Sequence, residues 1–480
     1  MLCARSACLR QIAGGVWRRH MRFWRFIDNA HVTIEKLIEG WSEQTRISVC
    51  DRHVLAIQDT SDIKFSTTED DRRGLGKVGK GNVFGVLLHA MMAVDADTGA
   101  CLGLAGGKVW TRKGNVKVPH ARRALADKES ARWLTTAGQA KDVLAQARMI
   151  TVINDREGDI YAHWTRTPEA NVHLLSRVMH DHALVKGGTL RKAVKRVAFS
   201  GKAVIDVPKR MDRRPRRAHL SLRFGSVVLQ RPKNTKEKDL PESVALNFVE
   251  VIELHPPKGA KPIHWLLLTT HRVESLHEAW QIVAWYKRRW VIEQFFRSMK
   301  SQGLQVEDSQ LETADRLMKL VAIAAKAATI VIQLVQARNG EDVVPAGFAF
   351  SRDEIDVLEA INKDLQGKTE LQKNPHRKKP WPGPHGSSPS SAGGADTLPI
   401  NRQDPLQSTM AWHVSKLLLA DGPSNMCRCP SPFAGEGRNS VMLVSAIRAT
   451  PRRHDSGIDR HRGRTIEARP STCAAKRPAS

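Results

Sequence analysis

Two short apolar runs that each stop at an aspartate constrain this chain most. VLAIQD (54–59) and MITVIND (149–155) are too short for helices and read as buried strands, each ending in an acid. FGVLLHAMMAVDADTGACLGLAGGKVW, between them, reads as two strands around an Asp-Thr-Gly turn, and KESARWLTTAGQAKDVLAQA as a helix. Residues 1–50 read as short helical pieces, RFWRFIDNAHVTIEKLIEGW being the clearest. Short strands dominate 165–270 and close with WLLLTT. Helices follow over 275–301, then in ADRLMKLVAIAAKAATIVIQLVQAR and SRDEIDVLEAINKDLQ. The expected class is α/β.

Past about residue 375 periodicity is lost. Twelve of the 23 prolines lie in the last 105 residues, entered through KKPWPGPHGSSPSSAGGAD, so 376–480 is expected to be disordered. That tail carries sixteen basic and seven acidic residues, +9 of a net charge of +27, and leaves +18 on the rest. So basic a chain attracts polyanions, nucleic acid first among them. Between Lys186 and Arg217, twelve Lys or Arg stand against two Asp. KRMDRRPRRAHLSLRF reads either as a solubilising loop or, as preferred here, as a basic loop on a β hairpin facing a phosphate backbone. No apolar run is expected to span a bilayer, and the basic N-terminus lacks the sustained apolar stretch of a signal peptide. The seven cysteines have no CxxC spacing, so neither a zinc site nor a disulfide framework is indicated, and a cytoplasmic setting fits.

WYKRRWVIEQFFRSMK (285–300) seats one acid, Glu293, among five basic side chains. At 100° per residue, Tyr286, Arg289, Glu293 and Lys300 fall within an arc of roughly 60°. Trp285, Ile292, Phe296 and Met299 form the adjoining apolar seam. Only Arg289 to Glu293 is the i,i+4 spacing that stabilises a surface helix; the other gaps are 3 and 7 residues. The stripe is therefore read as facing something outside its own helix, against the plainer reading of a salt-bridged surface helix.

Asp59 or Asp155 alone is an ordinary strand-end residue. Together with Glu293, two acids from adjacent strand ends and a third from a packed helix can converge on divalent cations. Mg²⁺ takes hard oxygen ligands and keeps water positions open. Two ions about 4 Å apart suit phosphodiester displacement.

These residues resemble the DDE transposases of bacterial insertion sequences, specifically the insertion-sequence-four group that includes the transposase of transposon Tn-five. Their helix signature is Y-x2-R-x3-E-x6-K, and Tyr286, Arg289, Glu293 and Lys300 match it in all four places. LAIQDTSD is similar to the family's first-Asp strand and VINDREGDIY to its second; DKESARWL, HPPKGAKPIHWLLLTTHRVESL and RFWRFIDNAHV are further similar blocks. The resemblance covers roughly 22–375. It implies a ribonuclease H-like core over 51–305 with a β-rich insertion at about 165–270, and a metal site of Asp59, Asp155 and Glu293 for two Mg²⁺ or Mn²⁺ ions. It also implies cut-and-paste chemistry on double-stranded DNA: a nick, a hairpin, then attack on target DNA. Tyr286, Arg289 and Lys300 are expected on transposon-end phosphates, in a homodimeric complex in a bacterial, nucleoid-associated setting.

Trp265 falls where the family stacks a flipped base; the other reading is a core tryptophan at a strand start. Arg177 lies near the family's DNA-contacting arginine, through a looser match. His180 and His182 read as a polar turn before a metal pair.

The departures are at the ends. About 21 residues precede the RFIDN block and do not resemble the family's N-terminal region, so 1–50 is expected to be a truncated helical DNA-binding remnant. Family likeness stops at LQKNPH (371–376), which leaves 306–375 as a helical region and 377–480 as text expected to be partly out of frame. Resequencing checks this: a shifted frame near codon 376 that yields no helical continuation ends the idea. The main alternative is a non-catalytic basic DNA-binding relic, which has no need of three carboxylates. A stand-alone ribonuclease H-like nuclease or resolvase explains the acids but not the Y-R-E-K stripe.

Overall fold

The computed structural model describes residues 1–339 except 2–5, 66–73, 80, 113–118, 120–122, 208–214 and 301–302, together with Asp356. Four short helices open the chain: α1 (Leu9–Ile12), α2 (Trp17–Asp28), α3 (Ile34–Glu39) and α4 (Glu43–Ser48). Next come β1 (His53–Phe65), β2 (Gly76–Lys77), β3 (Phe84–Asp95), β4 (Cys101–Trp110), α5 (Ala131–Val143), β5 (Met149–Asn154), α6 (Tyr161–Arg166) and β6 (Val172–Arg177). Then follow α7 (Leu190–Arg196), β7 (Gly201–Val207), β8 (Arg216–Gln230), β9 (Ser243–Glu253), β10 (His264–Thr269), α8 (Leu276–Lys287), α9 (Trp290–Met299) and α10 (Ala314–Asn339).

All strands join one mixed sheet in the order β2-β3-β1-β5-β6-β10-β9-β8-β7, with β4 also paired to β3. The β1–β5 and β5–β6 pairs are parallel. β1 explains why its run is apolar without a break. Leu55, Ile57, Ile63 and Phe65 face a core shared with α8, α9 and α10, while Val54 and Ala56 face a second core under α5 and α6. A strand covered on both faces carries apolar side chains in both phases of the pleat. Helices on both faces of a mixed sheet are the α/β architecture expected of a ribonuclease H-like core. The strand-rich stretch after Asp155 continues this sheet: β10 pairs with β6 through Leu267↔Arg177, and β9, β8 and β7 follow outward.

Three expectations need correction. β1 does not end at Asp59 but runs six residues further, because antiparallel pairing with β3 continues to Phe65↔Phe84 while parallel pairing with β5 stops at Ile57↔Ile153. What ends near Asp59 is the parallel pairing with β5. The helix expected over 275–301 is two helices. Around the junction Arg288, Arg289, Val291 and Ile292 donate to carbonyls three residues back. No Gly or Pro marks the break, so local propensity gives no sign of it. Third, α10 contains a stretch, Ala314–Gln336, long and apolar enough to cross a membrane by length and composition, and 56% of that window is buried within the protein. Leu317, Leu320, Val321, Ala324 and Ala328 fill the core, and Trp41 Nε1 donates to Ala322 O at 2.9 Å. Lys319 Nζ donates to the carbonyls of Ile27 and Asn29 (3.1 and 3.2 Å), which ties α2 to the same helix.

β7 and β8 form the expected hairpin, Val207↔Arg216 closing it, but the loop 208–214 lies outside the described residues. So do the tail 376–480 and, apart from Asp356, the helix expected at SRDEIDVLEAINKDLQ.

Candidate active site

The register of three adjacent strands builds the site. Ile57 pairs with Ile153, and Ile153 with Leu175, all three on the core face under α8–α10. Two residues further along the same phase stand Asp59, Asp155 and Arg177. Across β10, Leu267 is the partner of Arg177, and Trp265 lies two residues away on the same phase. One row at the carboxyl end of β5 thus carries three of the residues singled out from the sequence, with Trp265 one step further along β10.

The α8–α9 junction covers this row. Tyr286 ends α8, buried, with Trp265 edge-on to its ring at 5.5 Å between centroids. Arg289 caps α9 and reaches down: Nη1 donates to Asp59 Oδ2 and Nη2 to Glu293 Oε1, both at 2.9 Å. Glu293 sits in the first turn of α9, where the helix dipole favours a carboxylate. Arg288 turns the other way and donates to the carbonyls of Asp95 and Asp97 (3.0 and 2.9 Å). These two commitments hold the helices apart at the break.

Electrostatics confirm that these groups share one space. Burial, then the negative charge of Asp155, push the Asp59 carboxyl up to about 7, against the opposing pull of Arg289 and the Thr60 N–H. Burial raises the Tyr286 hydroxyl. Burial lowers the Arg177 guanidinium, which feels Tyr286, Arg289 and Asp155 and donates to His264 O at 2.8 Å. Burial opposes the charge on Arg289, yet Tyr286, Asp59 and Glu293 hold its pKa above the ordinary value.

Lys300 stands apart from this group. It caps the far end of α9, with Nζ 3.9 Å from Asp62 and 4.0 Å from Glu307. The 285–300 stripe therefore spans two helices: Tyr286 on α8 lies across the break from Arg289 and Glu293, and Lys300 stands at the far end of α9. His182 Nε2 bonds Asp159 at 2.8 Å, and Asp159 also accepts from Trp164 Nε1 and the N–H groups of Met179 and His180. That is the polar turn.

Sequence reading missed the side chains behind the row. Gln58 and Asn154, each preceding an aspartate, meet on the opposite face, with Gln58 Nε2 donating to Asn154 Oδ1 at 2.7 Å. Gly158 of VINDREGDIY is required there: a Cβ would lie 2.4 Å from Asn154 Cβ. The sequence reading touched this face only through the likeness of the DKESARWL block, without singling out Arg132.

Three carboxylates offer hard oxygens of the kind Mg²⁺ or Mn²⁺ binds, and the mutual repulsion raising Asp59 is what a cation relieves. Here Arg289 is the cation between Asp59 and Glu293. Among the described residues no three His, Cys, Asp or Glu side chains stand close enough to hold one ion. The donor chemistry fits a divalent metal.

A mixed α/β core with two aspartates on adjacent strands and a glutamate on a covering helix defines a class of phosphoryl-transfer domain. The family model described as "Transposase DDE domain" matches residues 45–330, more than half of the chain. The chain belongs to the DDE transposases. That family acts on DNA and generally uses divalent metal ions.

Proposed function

We propose that this chain cleaves and joins DNA at the ends of an insertion sequence of the insertion-sequence-four group, with Asp59, Asp155 and Glu293 as its metal-holding acids. The observation that supports this most is that Asp59, Asp155 and Arg177 each stand two residues beyond the Ile57–Ile153–Leu175 row, with Arg289 bonded to both Asp59 and Glu293. When bound, Mg²⁺ or Mn²⁺, two ions in this reading, supplies Lewis acidity and an attacking oxygen of lowered pKa for in-line displacement at phosphorus. The chain's own groups bind and orient. Arg289 and Arg177 present guanidinium forks to phosphate oxygens, Tyr286 gives a buried hydroxyl, and Trp265 gives an aromatic face for an extruded base. Lys300 holds the strand further along, and two copies of the chain pair the element's ends.

Glu293→Gln, Asp59→Asn and Asp155→Asn each remove a charge without removing volume. Each is expected to lose Mg²⁺-dependent nicking of the element's terminal repeats with DNA affinity nearly unchanged. Nicking retained by any one variant, in a protein whose parent cuts, rules that residue out. A parent that binds DNA and never cuts is instead the non-catalytic relic.

A further inference from the structure

On the face of the sheet opposite the acids, one arginine reaches both aspartate-bearing segments. Arg132, near the start of α5, has a side chain only 10% exposed. Its Nε donates to Thr60 Oγ1 at 2.8 Å and its Nη2 to Glu157 Oε2 at 2.6 Å, while Nη1 is anchored on Glu129 O at 2.9 Å. Thr60 and Glu157 are also the residues whose backbone N–H groups hold the acids. Thr60 N–H donates to Asp59 Oδ1 at 2.7 Å, and Glu157 N–H to Asp155 Oδ1 at 2.9 Å. A single guanidinium therefore grips, by side chain, the two residues that orient the two carboxylates by main chain.

The grip matters because of where sheet pairing ends. Beyond Ile57↔Ile153 no ladder bond between β1 and β5 fixes the distance between Asp59 and Asp155. Arg132 bridges the segments at that point. Its contact continues as a directional chain under β1. Thr60, already accepting from Arg132, gives its proton to His89 Nδ1 (2.8 Å), and His89 Nε2–H donates to Gln58 Oε1 (3.0 Å). Gln58 Nε2 then donates to Asn154 Oδ1 (2.7 Å). His89 is fully buried and held neutral by burial and by the charge of Arg132, which this direction requires. Gln58, Thr60, Asn154 and Glu157, which flank both aspartates, are thereby joined to one another.

We propose that Arg132 is a positioning residue for the metal site: by clamping Thr60 to Glu157 it sets the separation and orientation of the Asp59 and Asp155 carboxylates from the far face of the sheet. The inference rests on the assignment of those two acids as metal ligands. Arg132 itself faces away from any DNA held over the row.

The test measures Mn²⁺ binding to the full 480-residue chain without DNA, by the loss of the free-ion paramagnetic resonance signal, alongside thermal melts. Arg132→Met is expected to raise the Mn²⁺ dissociation constant about 10- to 100-fold, the usual cost of losing a group that orients metal ligands. Arg132→Lys should recover part of this, since an ammonium reaches one partner but not the fork. Glu157→Ala cuts the clamp at a 62% exposed carboxylate, where folding is not at stake, and is expected to weaken binding about tenfold. DNA affinity should hold within about twofold in all three, because none faces the DNA side. Unchanged Mn²⁺ affinity in Arg132→Met and Glu157→Ala, with binding lost in Asp155→Asn, overturns the positioning role and leaves the acid assignment standing. Unchanged affinity in Asp155→Asn as well overturns that assignment and the inference with it. Weakened binding in Arg132→Met that follows a lowered melting temperature, without rescue by Lys and without effect in Glu157→Ala, also overturns the clamp.

Discussion

Asp59 carries a pH signature that falls near neutrality. Burial, then the charge of Asp155, push its carboxyl up from the ordinary 3.8 to about 7 in the folded chain. Between these values the unfolded chain has shed the proton and the folded chain still holds it, so stability falls as pH rises through that window. Below about pH 4 the cost is absent, and above about pH 7 it is complete. Melts in chelator from pH 4.5 to 8 should therefore show the wild type losing ground to Asp59→Asn. A difference that does not move with pH would place the protonated acid elsewhere. Mg²⁺ binds the ionised carboxylate, so its stabilising effect should grow with pH up to about 7. Trp265 offers a second test at this scale. It is half-buried against Tyr286, yet its position beside the row suits a flipped base. Trp265→Ala should slow hairpin formation by about 10- to 100-fold, from roughly 1–3 kcal/mol of stacking, and spare the first nick. Equal losses at both steps with a lowered melting temperature would make it a core residue.

Among the elements, the junction between α8 and α9 decides where Glu293 and Arg289 point. α8 starts with a capping box, Ser275 accepting from Glu278 N–H and Glu278 accepting from Ser275 N–H. At its other end Arg288 is pinned to the β3–β4 turn, where Gly99 has φ +87° and would, with a Cβ, come within 2.6 Å of Arg288 Nη1. Gly99→Ala forces a left-handed alanine and displaces Arg288. The expected loss is about 1–3 kcal/mol, read by urea unfolding. Metal binding should weaken with it, since the junction carries Glu293. An unchanged midpoint would show that the turn does not hold the junction.

For the whole molecule, charge is the governing quantity. At +27, and with arginines already placed along the row, the chain should bind DNA through phosphates, and affinity should fall steeply and linearly in a plot of log K against log salt. Base contacts supply specificity and phosphate contacts supply affinity. On the proposal that residues 1–50 are a truncated DNA-binding remnant, binding to the element's terminal repeats and to scrambled DNA should be nearly equal. A gel shift with both DNAs at two salt concentrations checks this. Tight, selective binding with paired-end cleavage would overturn the reading of a degenerate copy.

That Asp59 and Asp155 follow apolar strand runs, and that Glu293 lies on a helix, was legible in the sequence because those settings are local. An apolar run that stops at an acid reads as a strand with a carboxylate at its exit, and the Y-x2-R-x3-E-x6-K spacing needs no partner to be seen. The α/β class followed from the same runs, since strands buried on both faces are apolar in both phases. Tertiary structure alone decided the rest. Nothing local breaks the helix at Arg288–Arg289; the break follows from two arginines committed to partners on opposite sides. Nothing local carries β1 past Asp59; antiparallel pairing with β3 does. The stripe spans two helices for the same reason: Tyr286 lies on α8 and Arg289, Glu293 and Lys300 on α9 and its caps. Arg132 could not be found from the sequence either. Its meaning lies in touching two segments, 72 and 25 residues away, that meet only when parallel pairing sets Asp59 beside Asp155.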